Sequence, residues 1–167
     1  MGEVLKKRLK QGQIIGDPVQ EFAYNVMVAA DHVAGELERL SEQFGLSLGQ
    51  FSVLRILRAA GGEGLPRGEI GARMVDRAPD VTRTIDKLEA MGLVVRAKGS
   101  VDKRQSLTMI TEKGLDLLRE SDPLFESEIK EFAQILSMAE WIAANSLLER
   151  VYDYLGEKRG KTSAVSK

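Results

Sequence analysis

Val81-Thr-Arg-Thr-Ile-Asp-Lys-Leu-Glu-Ala-Met-Gly-Leu-Val-Val-Arg-Ala-Lys-Gly-Ser-Val-Asp-Lys-Arg-Gln-Ser-Leu-Thr-Met-Ile110 decides how the rest of the chain is read. Val81, Ile85 and Leu88 share one helical face at about 100° per residue, so that face meets a core. Pro79, Arg83, Asp86 and Lys87 lie roughly opposite. The helix is predicted from Asp76, a capping residue, with Pro79 in the first turn and Asp80 at the positive end of the dipole. Gly92 suits a left-handed exit, and Leu93 then packs back on Leu88. Leu93–Arg96 and Ser106–Ile110 have strand character. Their loop, Lys98-Gly-Ser-Val-Asp-Lys-Arg104, is too long for a two-residue turn and protrudes as a wing. A helix beside a basic hairpin fits one groove of a duplex and its neighbour.

Working outward, the preceding segments read as helices. Asp17-Pro18-Val-Gln20 is a helix start: Asp17 caps, Pro18 suits the first position and Gln20 can complete a capping box. Phe22, Val26, Ala29, Val33, Leu37 and Leu40 follow at helical spacing and end near Gly45. Ser47-Leu-Gly-Gln50 repeats the box, and Phe51, Leu54 and Leu57 run to Gly61-Gly62. Leu65-Pro66 is extended, and a short helix spans Arg67 to Met74. On the far side, Thr111 caps a helix that Pro123 should kink or break, with Ser121 or Asp122 free to cap its continuation. Ser137-Met-Ala-Glu140 is a third box, and Trp141, Ala144, Leu148, Val151 and Leu155 carry the last helix.

The fold class expected is therefore mainly α (α+β): a winged helix-turn-helix lobe over residues 47–110, flanked by N- and C-terminal helices over 17–45 and 111–156. Those outer helices are too apolar for a lone small lobe, so they are expected to pack against a second copy as dimerisation helices. Residues 1–16 and 157–167 are expected to be flexible termini.

Composition removes whole classes of function. There is no cysteine among the 167 residues, which excludes disulfides, thiolate metal sites, cysteine nucleophiles and thiol redox sensing. His32 is the single histidine, so no metal site is predicted. No apolar run approaches the roughly 20 residues of a membrane span, and the first ten residues lack the apolar core of a secretion signal, so no membrane partner and a cytoplasmic location are expected. Gly61-Gly-Glu-Gly64 lacks the lysine of a phosphate-binding loop and follows a helix rather than a strand. With no nucleophile–base pair either, the chain does not read as an enzyme and needs no cofactor. The net charge of −1 hides an asymmetry. From Leu93 to Arg104 four cations, Arg96, Lys98, Lys103 and Arg104, face one anion, Asp102; from Leu115 to Glu140 seven acids face two bases. A neutral total with a basic hairpin favours one localised anion-binding surface over general polyanion stickiness.

Val81-Thr-Arg-Thr-Ile-Asp-Lys-Leu-Glu-Ala-Met-Gly-Leu-Val94, with Asp102-Lys-Arg104 and Leu107-Thr-Met-Ile-Thr-Glu-Lys-Gly114, resembles the MarR family of bacterial transcriptional regulators. The motifs cover about a fifth of the chain, and the helix order resembles the family over about Asp17 to Leu155. The resemblance implies a homodimeric winged-helix repressor, sometimes an activator, on a pseudopalindromic operator in double-stranded DNA. It also implies release by a small aromatic or anionic effector bound between the dimer helices and the DNA-binding lobe. Oxidant-sensing members rely on cysteine, and that branch is closed here.

Under that resemblance, phosphates supply affinity and base edges supply specificity. The helix enters the major groove, with Arg83 forked on a guanine edge. Thr82 reaches a base or a phosphate, and Pro79 and Asp80 approach from the first turn; Asp80 caps the helix or accepts from a cytosine amino group. Arg77 and Lys87 are phosphate ligands. In the wing, which resembles the family's minor-groove probe, Arg104 inserts, Lys98, Ser100 and Lys103 hold the backbone, and Asp102 fixes the wing rather than touching DNA.

Plainer readings compete. Arg83 can be an ordinary surface arginine paired with Asp86 or Asp80, and the wing an ordinary solvated hairpin. Phe125, Phe132 and Trp141 read as core or dimer seam, and His32 as a surface or seam residue. The alternative function is a winged-helix protein-interaction module without DNA binding, against which the outward cations argue.

Overall fold

The computed structural model describes residues 4, 5, 7, 17–75, 80–98 and 106–165, with side chains through 158. It runs α1 (Pro18–Glu42), α2 (Leu48–Ala59), β1 (Leu65–Pro66), α3 (Arg67–Arg73), α4 (Val81–Ala90), β2 (Val94–Lys98), β3 (Ser106–Ile110), α5 (Glu112–Phe132), a 3-10 turn (Ala133–Ile135) and α6 (Met138–Val165). Two units divide between Asp122 and Pro123.

In the first unit the predicted caps explain where helices begin. Asp17 Oδ1 accepts from the Val19 N–H at 3.0 Å. Ser47 and Gln50 form the reciprocal box, with the Ser47 N–H donating to Gln50 Oε1 at 2.9 Å. Glu38, one helix back, satisfies a further orphan donor by accepting from the Leu48 N–H at 2.7 Å. The core gathers Leu40, Leu46, Val53, Leu54, Leu57, Ile70, Ile85, Leu88, Leu93 and Leu118, all nearly inaccessible. Val4, Leu5 and Lys7 are helical and Leu5 is buried, where the sequence suggested a flexible terminus.

The sheet has three strands rather than the two of a simple hairpin. β3 is central, antiparallel to β2 from Val94↔Ile110 to Lys98↔Ser106, and to β1 at Leu65↔Thr108 and Pro66↔Leu107. The extended Leu65-Pro66 pair is thus recruited as an edge strand, a position where proline is tolerated.

The helix predicted from Asp76 starts later, at Val81, with Asp80 as its N-cap. Two capping acids compete in that stretch, and Asp80 stands nearest the first apolar residue of the stripe. Asp76 itself lies outside the described residues.

Pro123 does not break its helix: α5 is helical from Glu112 to Phe132. Neither Ser121 nor Asp122 serves as a fresh cap. Ser121 is buried and its hydroxyl donates to the Leu118 carbonyl at 2.9 Å. Asp122 instead takes both arms of the Arg58 guanidinium, at 2.7 and 3.0 Å. With Leu118 buried and Asp122 forked to α2, the turn before the proline is anchored, which offsets the one missing backbone bond.

In the second unit, Ser137 and Glu140 form the third box: the Ser137 N–H donates to Glu140 Oε2 at 2.8 Å and the Glu140 N–H returns to Ser137 Oγ at 3.4 Å. Trp141 donates to the Ala133 carbonyl at 3.2 Å and tilts against Phe132, ring centres 5.0 Å apart. The last helix continues past Leu155 to Val165. A lone Gly156 costs a helix only about 1 kcal/mol, and no proline follows to stop it. Ile129, Ile135, Met138, Ile142, Leu147, Tyr152 and Tyr154 are all more than half exposed. Among the described residues no helix is long and apolar enough to cross a membrane.

Candidate nucleic-acid interface

α4 is held by its ends and by one face. At its start Asp80 Oδ1 accepts from the Arg83 N–H at 2.9 Å, and the Asp80 carbonyl accepts from the Thr84 hydroxyl at 3.1 Å. Of the two roles expected for Asp80, the structure shows the cap. Ile85 and Leu88 are buried beneath it.

At its exit Gly92 has φ 72°, and the Leu93 N–H returns to the Leu88 carbonyl at 3.0 Å and the Gly92 N–H to Glu89 at 2.9 Å. These are the two bonds of a Schellman ending, which needs the left-handed residue that glycine supplies without strain. The start of α5 then locks onto this exit. The Thr111 N–H donates to the Leu93 carbonyl at 3.1 Å, its hydroxyl donates to the Gly92 carbonyl at 2.8 Å, and Lys113 Nζ donates to the Met91 carbonyl at 2.8 Å. The Thr111 hydroxyl oxygen accepts in turn from the Gly114 N–H at 3.2 Å. That closeness explains the glycine: a Cβ on Gly114 would stand 2.5 Å from the Leu93 carbonyl oxygen.

The outward face of α4 carries Arg83, Asp86 and Lys87, all exposed. The side chains of Arg83 and Lys87 have no partner among the described residues, nor does that of Lys98 at the wing end of β2. The plain reading, in which Asp80 or Asp86 takes Arg83, is not what forms. Asp86 is taken by Arg96 Nη2 from β2, and the same guanidinium reaches Glu89 Oε2 at 2.5 Å. The Arg96 N–H also donates to Glu89 Oε1, at 3.2 Å. The hydrogen bond to Asp86, foremost, raises the Arg96 pKa above its already high ordinary value, so the group stays a cation. Arg96 was counted in the basic surplus of the hairpin; in the structure its charge is spent on two acids of α4.

Thr82 is half-buried and its hydroxyl accepts from Arg67 Nη1 at 2.8 Å, which leaves its own O–H to donate. Arg67, at the first position of α3, is exposed and is an added cation that sequence reasoning missed. Nothing in its local pattern separates it from an ordinary surface arginine; only the fold brings it beside Thr82. Arg77, Pro79, Ser100, Asp102, Lys103 and Arg104 lie outside the described residues. Among the described residues no group of acids and His32 is placed to hold a metal ion. A short helix whose Arg83 and Lys87 have no partner among the described residues, followed by a strand that ends in Lys98, can bind phosphates and read a base edge.

Comparison with known proteins agrees with this geometry. Residues 46–106 match the model of the MarR family. The chain is 34% identical over 107 residues to the HTH-type transcriptional regulator MhqR of Bacillus subtilis strain 168, covering 64% of this chain and 72% of that relative. Its fold is similar to that of CouR from Rhodococcus jostii RHA1 bound to p-coumaroyl-CoA, with TM-score 0.69 and 21% identity over 84% of this chain and 95% of CouR. It is also similar to the repressor CouR on a 23-mer DNA duplex, with TM-score 0.71 and 24% identity over 85% of this chain and 99% of the other.

Proposed function

The chain belongs to the MarR family of transcriptional regulators, and on that premise we propose that it is a ligand-responsive, sequence-specific DNA-binding regulator that acts as a homodimeric repressor. One observation carries the reading: among the described residues Arg83 and Lys87 on α4 have no partner, while its own acids, Asp86 and Glu89, are both engaged by Arg96 from β2. A helix face whose cations stand open while its carboxylates are engaged in ion pairs suits a polyanion. In this reading Arg83 reads a guanine in the major groove, while Lys87, Lys98 and Arg77 hold phosphates. Ser100 and Lys103 hold the wing to the backbone, Arg104 enters the minor groove and Asp102 braces the wing. Pro79 lies against the duplex at the start of α4.

The apolar residues left exposed on α1 (Val19, Met27) and on α6 (Ile142, Leu147, Tyr152) support a second copy as the partner that covers them. Two lobes related by a dyad then meet half-sites about one helical turn, roughly 10 base pairs, apart. An effector of the small aromatic or anionic class acts by favouring a wrong lobe spacing; a bias of ~3 kcal/mol weakens operator binding about a hundredfold. The regulator works in the cytoplasm and catalyses no reaction. CouR, whose solved structures hold p-coumaroyl-CoA in one case and a DNA duplex in another, is the similar protein that lends this cycle support.

The test is selection of bound fragments from random duplexes at low ionic strength. A recovered inverted repeat supports the reading; no enrichment over the input pool removes it.

A further inference from the structure

The Arg96 guanidinium turns inward to α4, and two acids share it. Asp86 sits one helical turn after Arg83, and side chains three apart on a helix have Cβ atoms about 5–6 Å from each other. Asp86 is therefore a ready partner for Arg83, and an ion pair there would draw the guanidinium down along the helix. In the structure Asp86 is instead bonded to Arg96 Nη2, and Glu89, one further turn along, is bonded to Nη1. Arg83 has no partner among the described residues. We infer that Arg96 is a positioning residue for DNA recognition: it occupies Asp86 and Glu89 so that Arg83 stays extended and no bare carboxylate faces the duplex.

The inference rests on the DNA-binding reading of α4 and gives it a dependence that contact alone does not predict. The planar fork matters, since one guanidinium satisfies two carboxylates at once and an ammonium presents a single centre. The backbone N–H of Arg96 on Glu89 Oε1 fixes where the stem leaves β2, so the fork reaches α4 at a set height.

Operator affinity of the full chain, by fluorescence anisotropy on the selected duplex, tests this with Arg96→Gln, Asp86→Asn and the pair combined. Arg96→Gln is expected to weaken binding roughly tenfold, from two lost pairs and two uncovered acids. Adding Asp86→Asn then restores about fivefold, whereas Asp86→Asn alone changes affinity less than about twofold. Arg83→Ala also costs less in the Arg96→Gln background than in the parent, because Arg83 is already diverted.

Equal effects of Asp86→Asn in both backgrounds would overturn the inference, and so would an Arg83→Ala penalty unchanged by Arg96→Gln. A salt slope that falls by about one on Arg96→Gln would place Arg96 on a phosphate and overturn it too. If Arg96→Gln does not fold, Arg96→Lys carries the same comparison, with the same shrinkage of the Arg83 penalty required. A parent protein that binds no duplex removes the functional reading itself; a parent that binds, with no coupling among these residues, removes only the role of Arg96.

Discussion

Gly114→Ala should destabilise this protein, although alanine is the better helix former. Gly114 stands at the third position of α5, and a Cβ there falls 2.5 Å from the Leu93 carbonyl oxygen and 2.8 Å from Cγ1 of Ile110. The carbonyl cannot retreat freely, because it accepts the Thr111 N–H at 3.1 Å. Forcing a methyl into a packed site costs about 1–3 kcal/mol. Weakening the Thr111 bond adds roughly 0.5–1.5 kcal/mol. The helix-propensity gain returns only about 1 kcal/mol. The balance is a loss of about 2 kcal/mol, which for a chain of this size lowers the midpoint of thermal unfolding by roughly 4–8 °C. Urea denaturation followed by circular dichroism reads the change as a lower midpoint at unchanged slope. Gly156→Ala is the matched control, since nothing lies within 4 Å of a Cβ there; the same substitution should stabilise α6 by up to about 1 kcal/mol. A Gly114→Ala protein as stable as the parent would refute the argument that the start of α5 is seated against the end of α4.

Further outcomes are expected. Arg83→Ala should weaken operator binding by roughly 1–3 kcal/mol and relax preference at one base pair per half-site, read by binding to a panel of single-base operator variants. Lys98→Ala, at a phosphate, should weaken all sequences alike and lower the slope of log affinity against log salt by about one; a sequence-dependent loss would contradict that role. Sedimentation at micromolar concentration should give twice the chain mass, and a monomer there would leave the exposed apolar faces unexplained. The hydrogen bonds that Glu140 receives from Ser137 hold its carboxyl below the ordinary value of 4.5. A carboxylate with a depressed folded-state pKa adds stability above its unfolded value, and that support disappears as pH falls through the folded value. Carboxyl NMR titration should give a Glu140 midpoint below 4.5 that Ser137→Ala moves upward; a midpoint unmoved by that change would show that the cap does not form in solution.

The helices and their ends were legible because their signals are local. Ser47 with Gln50, Ser137 with Glu140, and Gly92 after Leu88 act within one or two turns, and the structure uses each as the spacing suggests. What failed to show was settled by groups far apart in sequence. Leu65-Pro66 becomes a strand only because β3 passes beside it, and Pro123 stays inside a helix where Arg58, on another helix, holds Asp122. The wrong start for α4 has another cause: two aspartates four residues apart each satisfy the local rule, and the rule alone does not rank them.

The same division explains the charge of the interface. Counting residues gives the hairpin a surplus of three and the whole chain a net −1, and neither number describes what a duplex would meet. Exposed charges are screened beyond about 8 Å at physiological ionic strength, so the acids that matter are those within a turn or two of Arg83. Asp80 and Asp86 are each about 4.5 Å along the helix axis from it, and Glu89, at about 9 Å, stands at the edge of that range, at 1.5 Å per residue. Asp80 is engaged by the start of its own helix, and Asp86 and Glu89, left bare, would offset Arg83 and Lys87. Arg96, bonded to both, offsets one of those two negative charges although no cation has been added to the outer surface. The electrostatic character of α4 is thus a property of a contact between helix and strand, and no window of sequence shorter than the 14 residues from Arg83 to Arg96 contains it.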